Sequence, residues 1–572
     1  MQEKRKTTEG LVLNLLPDGT GYEVCGIGVA TETDIYIDCA EDGLPILQIR
    51  HHAFQSCKTI TSITLGESVK KIEWYAFMDA KALKSVKVEG ALQSLGEGVF
   101  LRCHALEEVD LGRSGAKNLY NYTFRECTSL REITIPDGAN SLGDGYFLGC
   151  TALHTVRLPE SMNYLGNGAF YGCTSLENVN IPSQITGIGE GCFRFCEKLN
   201  GITIPEGVRG IYSKAFDGCH ALTEIHLPST LKYLYDYAFQ DCTSLTSVLL
   251  PDGLEKWGSG VFEGCTALKC ATFSQGMTDV PIAILRGCVS LETVTLPDTI
   301  TDISGSAFEN CRSLKSIELP EGLTRIVAGA FANTSLREID IPKGVRWLGA
   351  GAFKNCTDLS RIGMPEQLDV IFESLFKGCT SLSSLTLPEG VTEIRRDAFH
   401  NCHSLTSIRI PDGVETIGKQ AFYQCKNLST ITFPDTLVSI GESAFEYCKT
   451  LESVHLPDAL NTLQARAFAN CTALSNLTFP ETMNEIGEFA FLCCDSLECV
   501  YLPEGIQCLF GGILMSCSNL REVHIPKSVS SIRGWAFHNC YALETLVFKN
   551  PYGWGDDALY SDPHAIAQKF KK

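Results

Sequence analysis

The sequence has no long apolar stretch, and its basic residues are fewer than its acidic ones. Among 572 residues, Lys and Arg number 47 and Asp and Glu number 67, which gives a net charge of −20. No segment approaches the roughly 20 consecutive apolar residues of a membrane-spanning helix, so we expect no membrane insertion. The acid excess also argues against a nucleic-acid partner, because such binding needs a basic face that displaces counterions.

The motifs of common enzymes are missing as well. We find no Gly-x-Ser-x-Gly, no His-Glu-x-x-His and no phosphate-cradling loop. The fragments Gly143-Asp144-Gly145 and Gly258-Ser259-Gly260 stand at the same bend of a repeat, which indicates turns and not a dinucleotide site. The sequence therefore predicts neither an enzyme nor a cofactor.

No secretory signal is recognisable at the start of the chain. The basic residues Lys4-Arg5-Lys6 precede only a short apolar stretch that Asn14 interrupts, and a turn follows at Pro17-Asp18-Gly19. The default expectation is a cytoplasmic protein. Surface display by a non-classical route, or a truncated start, is the alternative.

What the sequence does contain is one repeat. From Phe54 to Phe537, 22 copies follow one another at a mean spacing of 23 residues, with Leu285 and Leu514 in place of Phe in two of them. Length alone would suggest several domains, but a periodic array indicates that each copy packs only against its neighbours. We therefore predict one continuous solenoid over residues 34–548.

Each copy has the same internal order, which residues 402–422 illustrate. Leu405-x-x-Ile408-x-Ile410 alternates like a short strand with one buried face, and a proline follows it. The pair Val414 and Ile417 indicates a second, shorter strand on another side of the coil. Ala-Phe-x-x-Cys then predicts one tight helical or 3₁₀ turn, too short to be a helix on its own.

This pattern resembles the leucine-rich repeat of the BspA-like (Treponema pallidum type) family, over roughly residues 34 to 548. The resemblance implies a β-dominated α/β fold, a right-handed solenoid of about 22 coils with a parallel main sheet, a side of short strands and short helical or 3₁₀ turns. It also implies a bacterial binding protein, since the members are mostly described as adhesins or binding proteins. Many of those members are secreted, whereas no signal peptide is recognised here.

The cysteines follow the repeat. Of the 27, twenty lie three residues after the repeat Phe or Leu. The same position in every coil points the same way, so we predict a ladder of buried free thiols packed as small apolar groups. The clearest ladder members, with the phenylalanines beside them, are Cys127, Cys150, Cys173, Cys196, Cys219, Cys242, Cys402, Cys425, Cys448, Cys471, Phe399, Phe422, Phe445 and Phe468.

Three cysteines outside the ladder leave an alternative open. Cys493, Cys499 and Cys508 fall close together in sequence and could approach one another across neighbouring coils. A metal or redox site would then be the function. Neither a Cys-x-x-Cys spacing nor a partnering histidine supports it.

The middle position of each sheet strand should face outward, and its row is mostly short and polar. A long row of this kind suits recognition of a protein or a glycan by many weak contacts. Thr is also a good strand residue, so a merely solvated face is the competing interpretation. The candidate residues are Arg157, Asn180, Thr203, His226, Thr386, Arg409, Thr432, His455, Tyr501 and His524.

A group of aromatic residues is the sharper candidate for a binding patch. Tyr212 and Tyr235 are 23 residues apart and so occupy one position in adjacent coils, with Tyr233, Tyr237 and Trp257 close to that row. Exposed rings would suit stacking on a sugar or gripping a partner. The competing interpretation is that these rings cover the edge of the core.

The ends must close the array. Residues 1–33, with a hairpin, are the predicted N-terminal cap, and residues 549–572, with a short helix, the predicted C-terminal cap. As function we favour a non-catalytic interaction scaffold for a protein or glycan ligand, and an adhesin is one version of it. A purely structural spacer is the remaining alternative.

Overall fold

The computed structural model describes residues 6–112 and 115–549. The chain divides into two compact units, the first of Met1–Met277 with Ile284–Val294 and the second of Thr278–Ala283 with Thr295–Lys572. The predicted C-terminal cap, apart from its first residue Lys549, lies outside the described residues, and so does the short helix predicted within it. The repeat continues through both units, which we describe in turn.

The first unit begins with a hairpin. The strand Val12–Leu15 pairs antiparallel with Tyr22–Gly26, and the second of these pairs in parallel with Ile46–Ile49. Beside it, the Thr8 amide donates to the Tyr36 carbonyl at 2.9 Å. The hairpin and Thr8 therefore supply hydrogen bonds to strand edges that would otherwise be open at this end.

Two rows of parallel strands follow in the first unit. The sheet strands, which come after the Leu of each repeat, are Asp34–Ile37, Ser62–Leu65, Ser85–Val88, Glu108–Asp110, Glu132–Thr134, Thr155–Arg157, Asn178–Val179, Ser247–Leu249, Cys270–Thr272 and Thr293–Thr295, of which the last ends in the second unit. The short strands are Ile46–Ile49, Lys71–Ile72, Ser94–Leu95, Asn118–Leu119, Ser141–Leu142, Tyr164–Leu165, Gly187–Ile188, Gly210–Ile211, Tyr233–Leu234 and Lys256–Trp257.

The second unit repeats this arrangement. Its sheet strands are Glu338–Asp340, Arg361–Gly363, Ser407–Arg409, Thr430–Thr432, Ser453–His455, Asn476–Thr478, Cys499–Tyr501, Glu522–Ile525 and Thr545–Phe548. Its short strands are Asp279–Val280, Asp302–Ile303, Arg325–Ile326, Trp347–Leu348, Val370–Ile371, Glu393–Ile394, Thr416–Ile417, Ser439–Ile440, Thr462–Leu463, Glu485–Ile486, Cys508–Leu509 and Ser531–Ile532. Neighbouring short strands pair in parallel with an offset of 23 residues, as Thr416 pairs with Ser439.

The third side of each coil corrects the prediction of helical or 3₁₀ turns, because the described residues contain turns there and no helix. The amides of Phe422 and Gln424 donate to carbonyls of the next coil, at 2.7 Å to Ala444 and 2.8 Å to Glu446. The amide of Tyr423, which lies between them, donates to the carbonyl three residues back in its own coil. Gln420 and Gln424 also have left-handed φ values of +55° and +58°. A helix would need every amide within its own chain segment, so the inter-coil bonds preclude it.

Among the described residues, no helix is long and apolar enough to cross a membrane.

The core of each coil consists of the inward side chains of both strand rows and the repeat Phe. The predicted phenylalanines Phe399, Phe422, Phe445 and Phe468 are fully buried. Neighbouring rings stack nearly parallel, with centroids 5.0 Å apart for Phe399 and Phe422 and 5.1 Å for Phe422 and Phe445. One coil has no partner for such a ring, so the apolar burial that stabilises the fold arises between coils.

The cysteine ladder lies beside these rings. All ten ladder cysteines named above are fully buried, and none of the described cysteines forms a disulfide. Each thiol donates to the carbonyl of the repeat Phe in the preceding coil, as Cys425 does to Phe399 at 3.2 Å. Where Thr334 replaces the thiol, its hydroxyl donates to Phe331 in its own coil at 2.8 Å. The ladder therefore links coils by weak hydrogen bonds in addition to packing.

Candidate binding surfaces

The outward row of the sheet strands lies as the alternation of the repeat indicates. Nine of the ten candidate residues are exposed, and His524 is half-buried. Most of the residues just before them are buried, as Ile408 is before Arg409, although Ile202 and Ile431 are half-buried. Four of the ten lie outside the assigned strands, namely Asn180, Thr203, His226 and Thr386. The row is thus accessible, and its largest member, Tyr501, is 62% exposed.

Small residues in this row leave a groove in the second unit. It has a volume of about 570 Å³ and includes Gly363 and Thr386 in its lining. Arg361 borders the groove and forms a two-pronged ion pair with Asp340, at 2.7 and 2.8 Å. The groove is polar at its edge and wide, so it lacks the enclosed shape of a small-molecule pocket.

On the side of the short strands, three tyrosines of the predicted patch come together. The rings of Tyr212 and Tyr235 stack with centroids 5.0 Å apart and planes 6° apart. The ring of Tyr233 lies 6.4 Å from that of Tyr235. Tyr212 is 45% exposed and Tyr233 37%. We call Tyr212, Tyr233 and Tyr235 the tyrosine surface.

Glycines make room for this arrangement. Gly187 and Gly210 stand in adjacent coils at the position that Tyr233 occupies in the next one. A Cβ atom on Gly187 would lie 3.2 Å from the Tyr212 ring, and one on Gly210 would lie 3.4 Å away. The ring of Tyr212 therefore lies over positions where side chains are absent, which flattens this part of the surface.

Two residues of the predicted patch lie elsewhere. Trp257 pairs in register with Leu234, whose side chain is buried, so Trp257 occupies an inward position and is only half-exposed. Tyr237 belongs to the turn side, where its ring lies against the backbone of Gly260. Neither residue is part of the tyrosine surface, because their positions in the repeat face other directions.

Sequence reasoning missed another exposed ring on this side. Tyr164 is 49% exposed and is the first residue of its short strand, as Tyr233 is. The two are 69 residues apart, which is three repeats of 23, so the signal was present in the sequence.

The immediate surroundings of the tyrosine surface are slightly basic although the chain is acidic. Arg209, Lys232 and Lys256 stand against two acids, Glu255, which pairs with Lys232 at 3.2 Å, and Asp236, the exposed residue that follows Tyr235. The Lys256 ammonium lies 5.3 Å from the centroid of the Tyr235 ring. An aromatic surface with a local excess of positive charge favours an acidic partner.

A second aromatic site near the start of the chain was not predicted. Trp74 and Tyr120 are 45% and 49% exposed and border a groove of about 350 Å³. Gly96 lies in the lining between them, together with Glu73 and Glu97.

The cysteines proposed as a metal or redox group do not assemble. Cys493 stands in the turn side, Cys499 begins a sheet strand and Cys508 begins a short strand. Among the described residues, their sulfur atoms do not form a set within metal-binding reach of one another. Cys499 lies instead beside Glu522 and His524, a neighbourhood that the 23-residue spacing from 499 to 522 could have revealed.

Comparison with known proteins agrees with this architecture. The sequence matches the BspA-type leucine-rich repeat region over residues 47–177, 163–289, 279–406, 392–509 and 439–562. The chain therefore belongs to the BspA-type leucine-rich repeat family, as its repeat predicted. No curated protein matches the chain.

The chain is also similar to several solved structures. A leucine-rich repeat protein from Bacteroides ovatus is 24% identical, with 82% of this chain and 99% of that chain covered and a TM-score of 0.42. The Treponema pallidum leucine-rich repeat protein is 22% identical over 46% of this chain and 91% of its own, with a TM-score of 0.28. A leucine-rich cell surface protein from Faecalibacterium prausnitzii is 20% identical over 97% of each chain, with a TM-score of 0.25.

Proposed function

We propose that this protein is a non-catalytic scaffold that binds a protein partner through the tyrosine surface. The observation that carries the proposal is the stack of the exposed Tyr212 on the half-buried Tyr235, with the exposed Tyr233 beside it. Rings of this kind supply much contact area for little loss of side-chain freedom, and Tyr is enriched among residues that dominate binding energy. A stack that served only the core would be buried, as the phenylalanine column is.

The charge around the rings indicates the chemistry of the partner. Arg209, Lys232 and Lys256 outnumber Glu255 and Asp236 by one charge, so an acidic segment of the partner would meet a complementary potential. Most of the chain, with its net charge of −20, would repel the same segment. Binding should therefore be confined to this surface and should weaken as salt is added.

The experiment compares matched double variants of the full chain. Tyr233→Ala/Tyr235→Ala removes the proposed contact, and Thr416→Ala/Ser439→Ala changes two short-strand residues in the second unit. Each protein is used to recover partners from extracts of the source cells, and the recovered partner is then purified and titrated. We expect the tyrosine variant to lose affinity by about 30-fold or more, since one residue that dominates an interface contributes about 2 kcal/mol. The control variant should bind as the wild type does.

A third variant addresses the outward sheet row, the other surface open to a ligand. Thr432→Ala/His455→Ala alters exposed sheet residues and leaves the rings in place. Loss of the partner with this variant and not with the tyrosine variant would assign binding to the sheet row. Equal binding by all variants would place the contact on another surface, whereas recovery of no partner by any of the proteins would favour a structural spacer.

A glycan ligand is the second candidate, favoured by the groove between Trp74 and Tyr120. Two exposed rings with carboxylates between them, here Glu73 and Glu97, suit a sugar that stacks on the rings and donates its hydroxyls. Trp74→Ala should then abolish retention on immobilised glycans, with Trp535→Ala, another exposed tryptophan, as its control.

An adhesin would also have to be displayed. The family resemblance supports display. Protease treatment of intact cells tests this directly, because only a displayed chain would be cleaved before lysis.

A further inference from the structure

The outward face of the last sheet strands holds an unusual group of side chains. The strands Cys499–Tyr501 and Glu522–Ile525 are parallel neighbours, with Cys499 opposite Glu522 and Tyr501 opposite His524. Side chains that alternate along a strand share a face, so these four point the same way. A thiol, a carboxylate and an imidazole therefore meet on one small area.

The ligand atoms of this group are close enough to share an ion. One atom each from Cys499, Glu522 and His524 lies within 4.8 Å of the other two, and all three residues are half-buried. A tetrahedral Zn²⁺ with bonds of about 2.0–2.3 Å places its ligand atoms about 3.3–3.6 Å apart, so small rotations of the side chains suffice. No other set of three among the described residues meets this condition.

The histidine nitrogen already faces the carboxylate. Nε2 of His524 is buried and lies 2.8 Å from Oε1 of Glu522, in ion-pair contact. An ion placed between the nitrogen and the carboxylate would satisfy both atoms.

The imidazole is also held in place. The rings of Tyr501 and His524 stack, with centroids 4.1 Å apart and planes 14° apart. On its other side His524 has the apolar Val547 as its register partner. The ring is thus oriented before any ion binds, which reduces the entropic cost of binding.

We propose that Cys499, Glu522 and His524 form a Zn²⁺ site with three protein ligands and an open fourth position. A thiolate, a carboxylate and a neutral imidazole together balance the charge of the ion, and this mixture of donors suits Zn²⁺ better than Ca²⁺ or Mg²⁺. The fourth position faces solvent, where water or a donor from a bound molecule completes the coordination. The site is independent of the tyrosine surface, with which it shares no residue.

The test uses the reduced full chain and two metals. Titration with Zn²⁺ should show one equivalent bound, and Co²⁺ in its place should give the thiolate-to-cobalt charge-transfer band of a sulfur ligand. Bound Zn²⁺ should also protect Cys499, and not the exposed Cys270, from alkylation as read by mass spectrometry of the peptides. Cys499→Ser and His524→Ala should each weaken Zn²⁺ binding about 100-fold or more, because loss of a ligand exceeds the 10–100-fold cost of losing its support.

Two control residues occupy the same repeat positions as Cys499 and His524 but lack the neighbours that form the proposed site. Cys270 begins its strand as Cys499 does, and His455 holds the middle of its strand as His524 does. Cys270→Ser and His455→Ala should bind Zn²⁺ as the wild type does. The proposal is overturned if the wild type shows no cobalt band and no protection of Cys499, or if the ligand variants bind as tightly as the controls.

Discussion

The coil that carries Tyr233 in the first unit and the coil that carries Thr416 in the second have the same interior. Phe239 and Phe422 are both fully buried, and each stacks on the Phe of the preceding coil with centroids 5.0 Å apart. Outside, Tyr233 and Thr416 occupy the same position of the short strand and both are exposed. Inward positions are constrained by two neighbouring coils, whereas outward positions meet only solvent, so recognition is free to differ from coil to coil.

The largest expected effect is a loss of stability at high pH, and the two regions should share it. Burial raises the pKa of Cys150 in the first unit to about 12 and that of Cys356 in the second to about 11. In the unfolded chain these thiols lose their protons from about pH 9, so above that pH the unfolded state binds fewer protons than the folded state. The free energy of unfolding should therefore fall as pH rises from 9 towards 12, by up to about 1.4 kcal/mol per buried thiol per pH unit.

Thermal unfolding of the reduced protein from pH 7 to pH 10.5 measures this loss. The midpoint should be steady below pH 8.5 and fall steeply above it. Cys150→Ala removes one of the titrating thiols, so its midpoint should fall less steeply with pH. A midpoint that stays constant to pH 10.5 would mean that the thiols are not buried as described.

The next effect distinguishes a buried position of one coil from an exposed position of the same coil. Phe422→Ala removes a ring that stacks between Phe399 and Phe445, and it should lower the free energy of unfolding by about 3–5 kcal/mol. Denaturant titration of the full chain, with hydrogen exchange of the neighbouring coils, measures the change. Thr416→Ala in the same coil is the control and should stay within about 0.5 kcal/mol. An equal effect of the two would contradict the division into a constrained interior and a free exterior.

The smallest effect concerns one position where the two regions differ. Gly418 stands where Tyr235 stands in the first unit, and a Cβ atom there would lie 2.7 Å from the backbone of Arg395 and Arg396 in the preceding coil. Gly418→Ala should therefore lower the free energy of unfolding by about 1–3 kcal/mol, because backbone must shift. Tyr235→Ala, its counterpart, should change it by less than about 0.5 kcal/mol. Equal tolerance at both sites would show that the coils approach each other less closely than described.

Much of the fold could be predicted from the sequence because the same pattern recurs in 22 copies. The positions of Phe422 and Cys425, the sheet strand and the short strand all follow from a spacing that a single coil would not reveal. The helical turn was wrong for a definite reason. Ala-Phe-x-x-Cys satisfies helical periodicity over one turn, but the neighbouring coil accepts alternate amides, and a sequence does not display that competition.

The candidate sites were predictable only in part. Tyr212 and Tyr235 could be paired from their 23-residue spacing, and Tyr164 could have been added in the same way. Trp257 looked equivalent to the tyrosines in sequence, yet the strand register turns it inward. The group of Cys499, Glu522 and His524 was missed because no partnering histidine was recognised near Cys499 in sequence, whereas the structure supplies His524 from the next coil.

The sequence by itself determined the interior of this protein: how many coils there are, which side chains face inward and that the thiols are packed and unbridged. It could do so because each coil must bury the same surfaces against the next, and one spacing therefore recurs. Only the tertiary structure decided which exposed side chains meet, since the neighbours of an outward residue are set by strand register and by the direction of each turn. The stacked tyrosines and the thiol beside a carboxylate and an imidazole are products of that register, and any function of this chain depends on such juxtapositions.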